Sequence, residues 1–577
     1  MAEYLSPGVY VEEFESGGKP MEGVGTSTAG FVGLAEKGPV EGVPQLVTNF
    51  SEFKRNYGGY LSENEFGEYR FLAYAVENFF VNGGSRCFVS RVAPSDAKVS
   101  VGYAPSKDAP AVKFSAKNPG IWGDRITVTV TPSSKAKTQI LEVIKADNET
   151  KYLVKNGAGF NPGDVVAFTD KSVNIYNRVI KNQDNIITFA EEFTDDVVDK
   201  NLVPVKMIST CEFTLEAKYG DSVELYENVS FNINAANYIS KKAAKSELIV
   251  AEYLSTESEK IIAPFSAIAG EGAKVTTINF ANGSNGSVSS ISAADFIGVD
   301  NGAGKRTGIQ SFVDNDVVSI MAVPGVTDPN VQLTLVAHCE NLASRFAVLD
   351  IPRDAKKVND IITHRNIFDS NYAALYHPWL EVFDPLDKKT IAVPPSGAVI
   401  GIYARSDNTR GVHKAPANEV VRACSGLDCQ FNKGEQDILN PKGVNLIRSF
   451  PGQGIRIWGA RTASSDGSWK YINVRRLFIF IEESIKANTS WAVFEPNDEV
   501  LWVRVQRTIS VFLNNLWRNG SLAGTSPDEA FFVNIGRNTM TVDDIDNGRL
   551  VCVIGVAPVK PAEFVIFRIT QKTSTAE

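Results

Sequence analysis

The apolar residues of this chain change period twice, which limits the folds open to it. Residues 26–92 and 271–455 alternate buried runs with helical stripes, whereas residues 93–270 between them read as short strands separated by turn signals. In the first block, residues 29–38 form an apolar run ending in a turn, and Ser51 can cap a short helix. Residues 68–80 place Tyr69, Leu72, Ala73, Val76 and Phe80 on one helical face, and residues 86–92 read as a strand. In the middle block, the runs at 126–130, 139–144, 165–168, 186–189 and 211–217 are strand-like, with Asn161-Pro162-Gly163-Asp164 as a turn. The pattern then returns to α/β. A strand is expected at 317–323 and a helix over 328–348, carrying Leu335, Cys339, Leu342 and Phe346. A strand follows at 373–376, and 406–410 reads as a polar loop. Toward the carboxyl end, a helix spans 474–487. A second begins at Pro496-Asn497-Asp498-Glu499 and runs to Asn519-Gly520, with Leu501, Val505, Ile509, Phe512 and Leu516 as its stripe. Strands at 531–534, 550–556 and 564–570 close the chain. The fold class expected is α/β multi-domain: an α/β core, inserted β-rich outer domains, and an α+β carboxyl-terminal inner domain with extended terminal arms.

Composition excludes several functions. Apolar residues are 43% and charged residues 22% of the chain, ordinary for a globular protein. The 58 basic residues are outnumbered by 67 acidic ones, which argues against a general nucleic-acid binder. No apolar run approaches the ~20 residues of a membrane span, and residues 1–15 lack the pattern of a secretory signal. The six cysteines are too sparse for a disulfide scaffold, and Cys424 and Cys429 have no matching partner pair for zinc. Gly302-Ala303-Gly304-Lys305-Arg306 resembles a phosphate loop, but five residues separate Gly298 from Gly304 and Arg306 follows the lysine. Gly25-Thr26-Ser27-Thr28-Ala29 lacks the last glycine of a nucleophile elbow. None of the four histidines, 338, 364, 377 and 413, has a metal-ligand spacing. No catalytic residue, cofactor or metal is therefore expected, and no enzyme. The alternative is a carbohydrate-active or other enzyme using the β-domains as binding modules.

Arg475-Arg476-Leu477-Phe478-Ile479-Phe480-Ile481-Glu482-Glu483, Phe494-Glu495-Pro496-Asn497, Leu516-Trp517-Arg518-Asn519-Gly520-Ser521 and Val556-Ala557-Pro558-Val559-Lys560-Pro561-Ala562-Glu563-Phe564 occur in that order. In order and spacing they resemble the carboxyl-terminal domain of contractile tail sheath proteins, found in phage tails and related contractile injection systems. Tyr4-Leu5-Ser6-Pro7-Gly8-Val9-Tyr10-Val11 resembles that family's amino-terminal arm. Asn118-Pro119-Gly120-Ile121-Trp122-Gly123-Asp124 resembles one of its loops, with Asp124 where Asn is usual. Arg345-Phe346-Ala347-Val348-Leu349-Asp350 and Pro394-Pro395-Ser396-Gly397 fit its middle domain. Residues 140–208 fit least well. The resemblance implies a structural subunit that polymerises as stacked hexameric discs around an inner tube and contracts to drive the tube through a target envelope. The partners it implies are further copies of the chain, the tube protein, and baseplate and terminal cap proteins, with no nucleic acid and no direct membrane insertion. It also implies assembly in the bacterial cytoplasm. The expected division is 1–25 amino-terminal arm, 26–92 with 271–455 middle domain, 93–270 outer insertion, 456–558 inner domain and 559–577 carboxyl-terminal strand arm.

The residues themselves support connector arms. Phe564-Val565-Ile566-Phe567-Arg568-Ile569 is a strong strand that would be an aggregation hazard as a bare edge, and strand addition to a neighbour would satisfy it. Tyr4, Leu5, Val9, Tyr10 and Val11 read as the matching amino-terminal connector, with Gly17-Gly18 as its hinge. Residues 440–577 carry 16 basic and 13 acidic residues, whereas residues 1–24 carry five Glu and one Lys. An acidic arm docking on basic neighbours is expected from this asymmetry, and Arg504, Arg507 and Arg518 are expected to face the tube.

Overall fold

The computed structural model describes residues 21–105, 110–146, 149–170, 173–191, 207–254, 261–270, 272–566 and 568. Tyr4, Leu5, Val9, Tyr10, Val11, Gly17, Gly18, Phe567 and Ile569 lie outside the described residues.

An eight-stranded sheet organises the chain. Its strands are β1 (Ala29–Leu34), β2 (Gln45–Val47), β3 (Cys87–Val92), β4 (Ile320–Ala322), β5 (Phe346–Asp350), β6 (Ala373–His377), β7 (Val444–Phe450) and β8 (Gly454–Ile457). The spatial order is β2-β3-β1-β4-β5-β6-β7-β8, parallel throughout except at the two edges. The register sets Ala29 beside both Cys87 and Ile320. Residues 93–319 are therefore one long excursion between β3 and β4, the two strands that flank β1. The inner strands β1, β4, β5 and β6 are buried at every residue, as expected of a parallel sheet covered on both faces. Phe31, Ile320, Val348 and Tyr376 pack on one face, against helices α1 (Leu72–Val81) and α4 (Ser396–Arg410). Val32, Met321, Leu349 and Leu375 pack on the other, against α2 (Pro329–Leu342) and α3 (Val358–Arg365).

Three sequence expectations are corrected. The helix expected over 328–348 stops at Leu342, where Ala343 turns left-handed (φ 53°), and Phe346 opens the central strand β5. Phe346 continues the helical spacing only by coincidence, and the unbroken apolar run 346–349 is a strand buried on both faces. The polar loop expected at 406–410 is the last turn of α4, which runs to Arg410 and ends at Gly411 (φ 97°). Ten of the helix's fifteen residues are buried, so no amphipathic stripe marks it. A Cβ on Gly397 would meet the Ala75 carbonyl oxygen at 2.3 Å, and one on Gly401 the Phe79 carbonyl oxygen at 2.4 Å, so α4 lies directly on α1. The cap of helix Phe50–Tyr57 is Asn49 rather than Ser51, its side chain accepting from the Glu52 N–H at 2.8 Å.

Asp350 joins β5 to α4. It is buried, and its carboxylate accepts from the Ser396 N–H (2.9 Å), the Ser396 hydroxyl (2.7 Å) and the Gly325 N–H (3.0 Å). Burial pushes its pKa up to about 6, against the opposing pull of these donors.

Within 93–319, a four-stranded sheet (Ser222–Val229, Glu212–Tyr219, Thr127–Ser133, Thr276–Asn279) packs on a three-stranded one (Ile249–Tyr253, Val112–Ala116, Val101–Ala104). Phe114, Trp122, Val128, Phe213 and Ile249 fill the space between them. Six strands between Lys137 and Thr210 close into a barrel with a core of its own. At the carboxyl end, α5 (Ile472–Thr489), α6 (Glu499–Arg518) and the hairpin β9 (Phe531–Ile535)–β10 (Cys552–Val556) surround Leu477, Ile481, Val505, Ile509 and Phe512.

Candidate assembly surface

Both ends of the described chain are rooted on α5. At its carboxyl end, Asn488 accepts from the Glu22 N–H (3.3 Å) and donates to the Glu22 carbonyl (2.8 Å), while the Ser484 hydroxyl accepts from the Val24 N–H (3.1 Å). Further up the helix, Arg476 donates to Asp407 of α4 (2.6 and 3.0 Å) and to the Thr26 carbonyl (2.9 Å). The Thr26 hydroxyl also donates to Asp407 (2.7 Å). This buried ion pair ties the amino-terminal root, the sheet layer and α5 together. At the amino end of α5, Asn473 donates to the Val559 carbonyl (3.1 Å). Asn473 and Asn488 are about 22 Å apart along the helix at 1.5 Å per residue, so the two roots leave from opposite ends of one rigid rod.

The carboxyl-terminal root ends in a seat for Glu563. Its carboxylate accepts from Arg461 Nε and Nη2 (2.7 and 2.8 Å), the Tyr471 hydroxyl (2.9 Å) and Asn440 (2.8 Å), with Lys470 Nζ at 3.4 Å. Burial would raise its pKa, but the hydrogen bonds from Arg461, Asn440 and Tyr471 hold it at about 2. Arg461 is itself buried. Immediately after this anchor, Phe564, Val565 and Ile566 are 70, 69 and 79% exposed and belong to no strand.

The β9–β10 hairpin has one open edge. The Ala557 N–H donates to the Ala530 carbonyl (2.8 Å). In an antiparallel pair, that register turns the backbone groups of Phe531, Val533 and Ile535, and of Cys552, Ile554 and Val556, away from the partner strand. On the β9 side, Gln506 of α6 donates to the Val533 carbonyl (2.7 Å). On the β10 side, the outward groups of Cys552, Ile554 and Val556 have no hydrogen-bond partner among the described residues.

The helix α6 shows a second exposed face. Asp498 caps it, accepting from the N–H groups of Val500 and Leu501. Leu501, Val505, Ile509, Phe512 and Leu516 point inward as their spacing predicts. Val500 and Val503 are 76 and 63% exposed, with Arg504 and Arg507 exposed beside them and Arg518 exposed at the far end of the helix. Arg504 stacks over the Trp491 ring at 4.1 Å. Phe494, in the turn before the helix, is fully exposed in a left-handed conformation (φ 68°).

The residues screened for chemistry do not converge. His338 contacts Arg345 (3.3 Å), His364 contacts Gln332 (2.9 Å), His377 lies 3.7 Å from the Cys429 sulfur, and His413 contacts Ser521 (3.0 Å). Burial lowers the first three to about 4. Arg306 of the glycine-rich loop pairs with Asp300 (2.8 Å) and Asp314. Among the described residues, no group of three His, Cys, Asp or Glu side chains could hold a metal ion, and no helix is long and apolar enough to cross a membrane.

Residues 302–463 match the phage tail sheath protein central domain, and residues 464–572 match the phage tail sheath C-terminal domain. Over residues 302–572 the chain belongs to the contractile tail sheath protein family. A putative prophage major tail sheath protein of Pseudomonas aeruginosa UCBPP-PA14 is 23% identical, over 48% of this chain and 72% of that one. The tail sheath protein of Escherichia phage P2 is 24% identical, over 48% of this chain and 71% of that one. In fold, this sheath protein is similar to the sheath of the extracellular contractile injection system PVC in its contracted state, at 20% identity, with a TM-score of 0.52 and 99% of each chain covered. It is also similar to the contracted helical sheath of the anti-feeding prophage, at 20% identity, with a TM-score of 0.51 and 98 and 99% covered. The Glu563 seat and the Asp407–Arg476 pair escaped sequence reasoning, because their partners lie 102 and 69 residues apart. Glu563 falls inside a segment that carried the resemblance, but nothing local marks it as buried.

Proposed function

We propose that this sheath subunit polymerises as stacked hexameric discs around an inner tube and contracts to drive the tube through a target envelope. In this reading residues 26–92 with 271–455 form the middle domain, 93–270 the outer insertion and 456–558 the inner, lattice-forming layer. Residues 1–25 and 559–577 are the arms that link copies, with Gly17 and Gly18 as the hinge of the first. Copies of the chain, a tube protein, and baseplate and terminal cap proteins are its partners, and the particle assembles in the bacterial cytoplasm. The energy of contraction lies in contacts between subunits, so the subunit is a structural element and not an enzyme.

One observation carries this reading. A three-residue apolar run, Phe564 to Ile566, leaves a firmly anchored root without a strand partner, while β10 presents an open edge. A donated strand pairing with Cys552, Ile554 and Val556 would make up to six hydrogen bonds. At about 0.5–1.5 kcal/mol each, with burial of Phe564 and Ile566 added, such a link could persist through a large rigid-body motion. Truncation after Glu563 tests it by electron microscopy. The full chain should give hollow, cross-striated cylinders and the truncated chain dispersed subunits, and cylinders from the truncated chain would refute strand exchange. Arg504, Arg507 and Arg518 are assigned to the tube-facing side. Charge reversal by Arg504→Glu with Arg507→Glu should abolish co-assembly with the tube protein while self-assembly persists.

A further inference from the structure

The barrel at 137–210 enters and leaves the fold at a single point. The strands Thr127–Ser133 and Glu212–Tyr219 are antiparallel neighbours, registered from Thr127 opposite Lys218 up to Ser133 opposite Glu212. Such paired residues lie about 4.5–5.5 Å apart. Without the intervening chain these two strands would be an ordinary hairpin. The barrel closes on itself through Lys137–Ala146, Glu149–Val154, Ile186–Phe189, Val173–Gln183, Val165–Asp170 and Met207–Thr210. Its core, including Ile140, Val154, Phe160, Val166, Val179 and Ile208, is separate from that of the surrounding sheets.

The neck is not a loose tether. Lys135 Nζ lies 2.6 Å from Asp164 and 3.3 Å from Glu212, and both carboxylates are almost wholly buried. Glu212 also accepts from the Lys135 N–H (2.8 Å) and the Thr210 hydroxyl (2.7 Å). Asp164 also accepts from the Asn161 N–H (2.9 Å) and from Asn232 Nδ2 (2.8 Å), in the loop that follows the Ser222–Val229 strand. Asn232 donates again to the Pro162 carbonyl (2.9 Å). Gly163 has φ 90°, and a Cβ there would meet the Asn232 amide oxygen at 2.8 Å. The Asn161-Pro162-Gly163-Asp164 turn is thus shaped to deliver a barrel carboxylate onto the neck. A buried network in which every charged member is paired holds geometry, whereas removing one partner strands the others.

We infer that the six strands between Ser134 and Cys211 are a self-contained barrel spliced into the turn of a β-hairpin and mounted at a fixed angle by the Lys135–Asp164–Glu212 clasp. The barrel is an exchangeable appendage, and the fold that carries it does not depend on it.

Two variants of the full chain test this by hydrogen exchange and thermolysin digestion. In the first, an Asn-Gly turn, suited to two-residue hairpins, replaces residues 134–211. Protection of the 127–133 and 212–219 strands and of the eight-stranded sheet should stay within threefold of the parent, and aggregation or loss of that protection would overturn the inference. In the second, Lys135→Gln, barrel amides should keep their protection within threefold, while thermolysin cleavage before Ala136 and before Phe213 rises at least tenfold. Unchanged neck cleavage, or joint loss of protection in the barrel and the surrounding sheets, would overturn the clasp. Neither measurement requires polymer, so the outcome is independent of the assembly proposed above.

Discussion

Replacing Glu563 by Gln should loosen the carboxyl-terminal arm at its root and leave the rest of the subunit folded. The shape is kept, but the charge is lost, and the new amide N–H₂ must face the donors of Arg461, Tyr471, Asn440 or Lys470. Hydrogen bonds to a charged group are worth about 1.5–3 kcal/mol. The Glu563 side chain is 18% exposed, so solvent screens part of this. A loss of about 2–3 kcal/mol for the local opening of 558–563 is expected, or roughly 30–150-fold faster amide exchange at 1.4 kcal/mol per tenfold. Hydrogen exchange with mass spectrometry on peptides covering 556–566 reads this directly, with the 472–489 helix as internal control. The pH dependence has a definite sign. The folded carboxyl titrates at about 2, below the ordinary carboxylate range. Its contribution is therefore complete above the unfolded pKa near 4.5 and is lost as pH falls from there through about 2. The parent's root should loosen over that window, and the Gln variant should show no such dependence. Unchanged exchange at 558–563 in Glu563→Gln would refute the anchor.

Three further outcomes follow from buried contacts. Asp407→Asn strands Arg476 where its side chain is only 4% exposed, and should lower stability by about 3–5 kcal/mol in urea unfolding; a change under about 1 kcal/mol would contradict the three-way junction. Asp350 is held up to about 6, so the folded state binds its proton more tightly than the unfolded state does. Its contribution should fall as pH rises from about 4 to 6, and Asp350→Asn should flatten the urea midpoint across that range. Gly397→Ala places a methyl 2.3 Å from the Ala75 carbonyl oxygen and should cost about 1–3 kcal/mol or more by prising α4 from α1, measured as a drop in melting temperature.

Elements with a solvent-exposed face were legible. The stripe of α6 and the cap at Asp498 are where their spacing places them, because one side of that helix meets water and the other the core. Two elements buried all round were misread. The helix α4 shows no stripe because its neighbours enclose it, and Phe346 was assigned to a helix because an apolar run in a two-sided parallel strand fits any period.

Local chemistry in the sequence determined that this is an α/β chain with a β-rich interruption, amphipathic carboxyl-terminal helices and an apolar tail. The ordered motifs sufficed to place it among contractile sheath proteins. Only the tertiary structure decided that the interruption contains a closed barrel on a clasped neck, that both chain ends root on α5, and that Glu563 is the last fixed residue of the described tail. Periodicity records which side of an element meets water, a nearest-neighbour property. A salt bridge between residues 102 apart, or a strand edge left open, depends on how distant segments meet in space, and no local pattern encodes that.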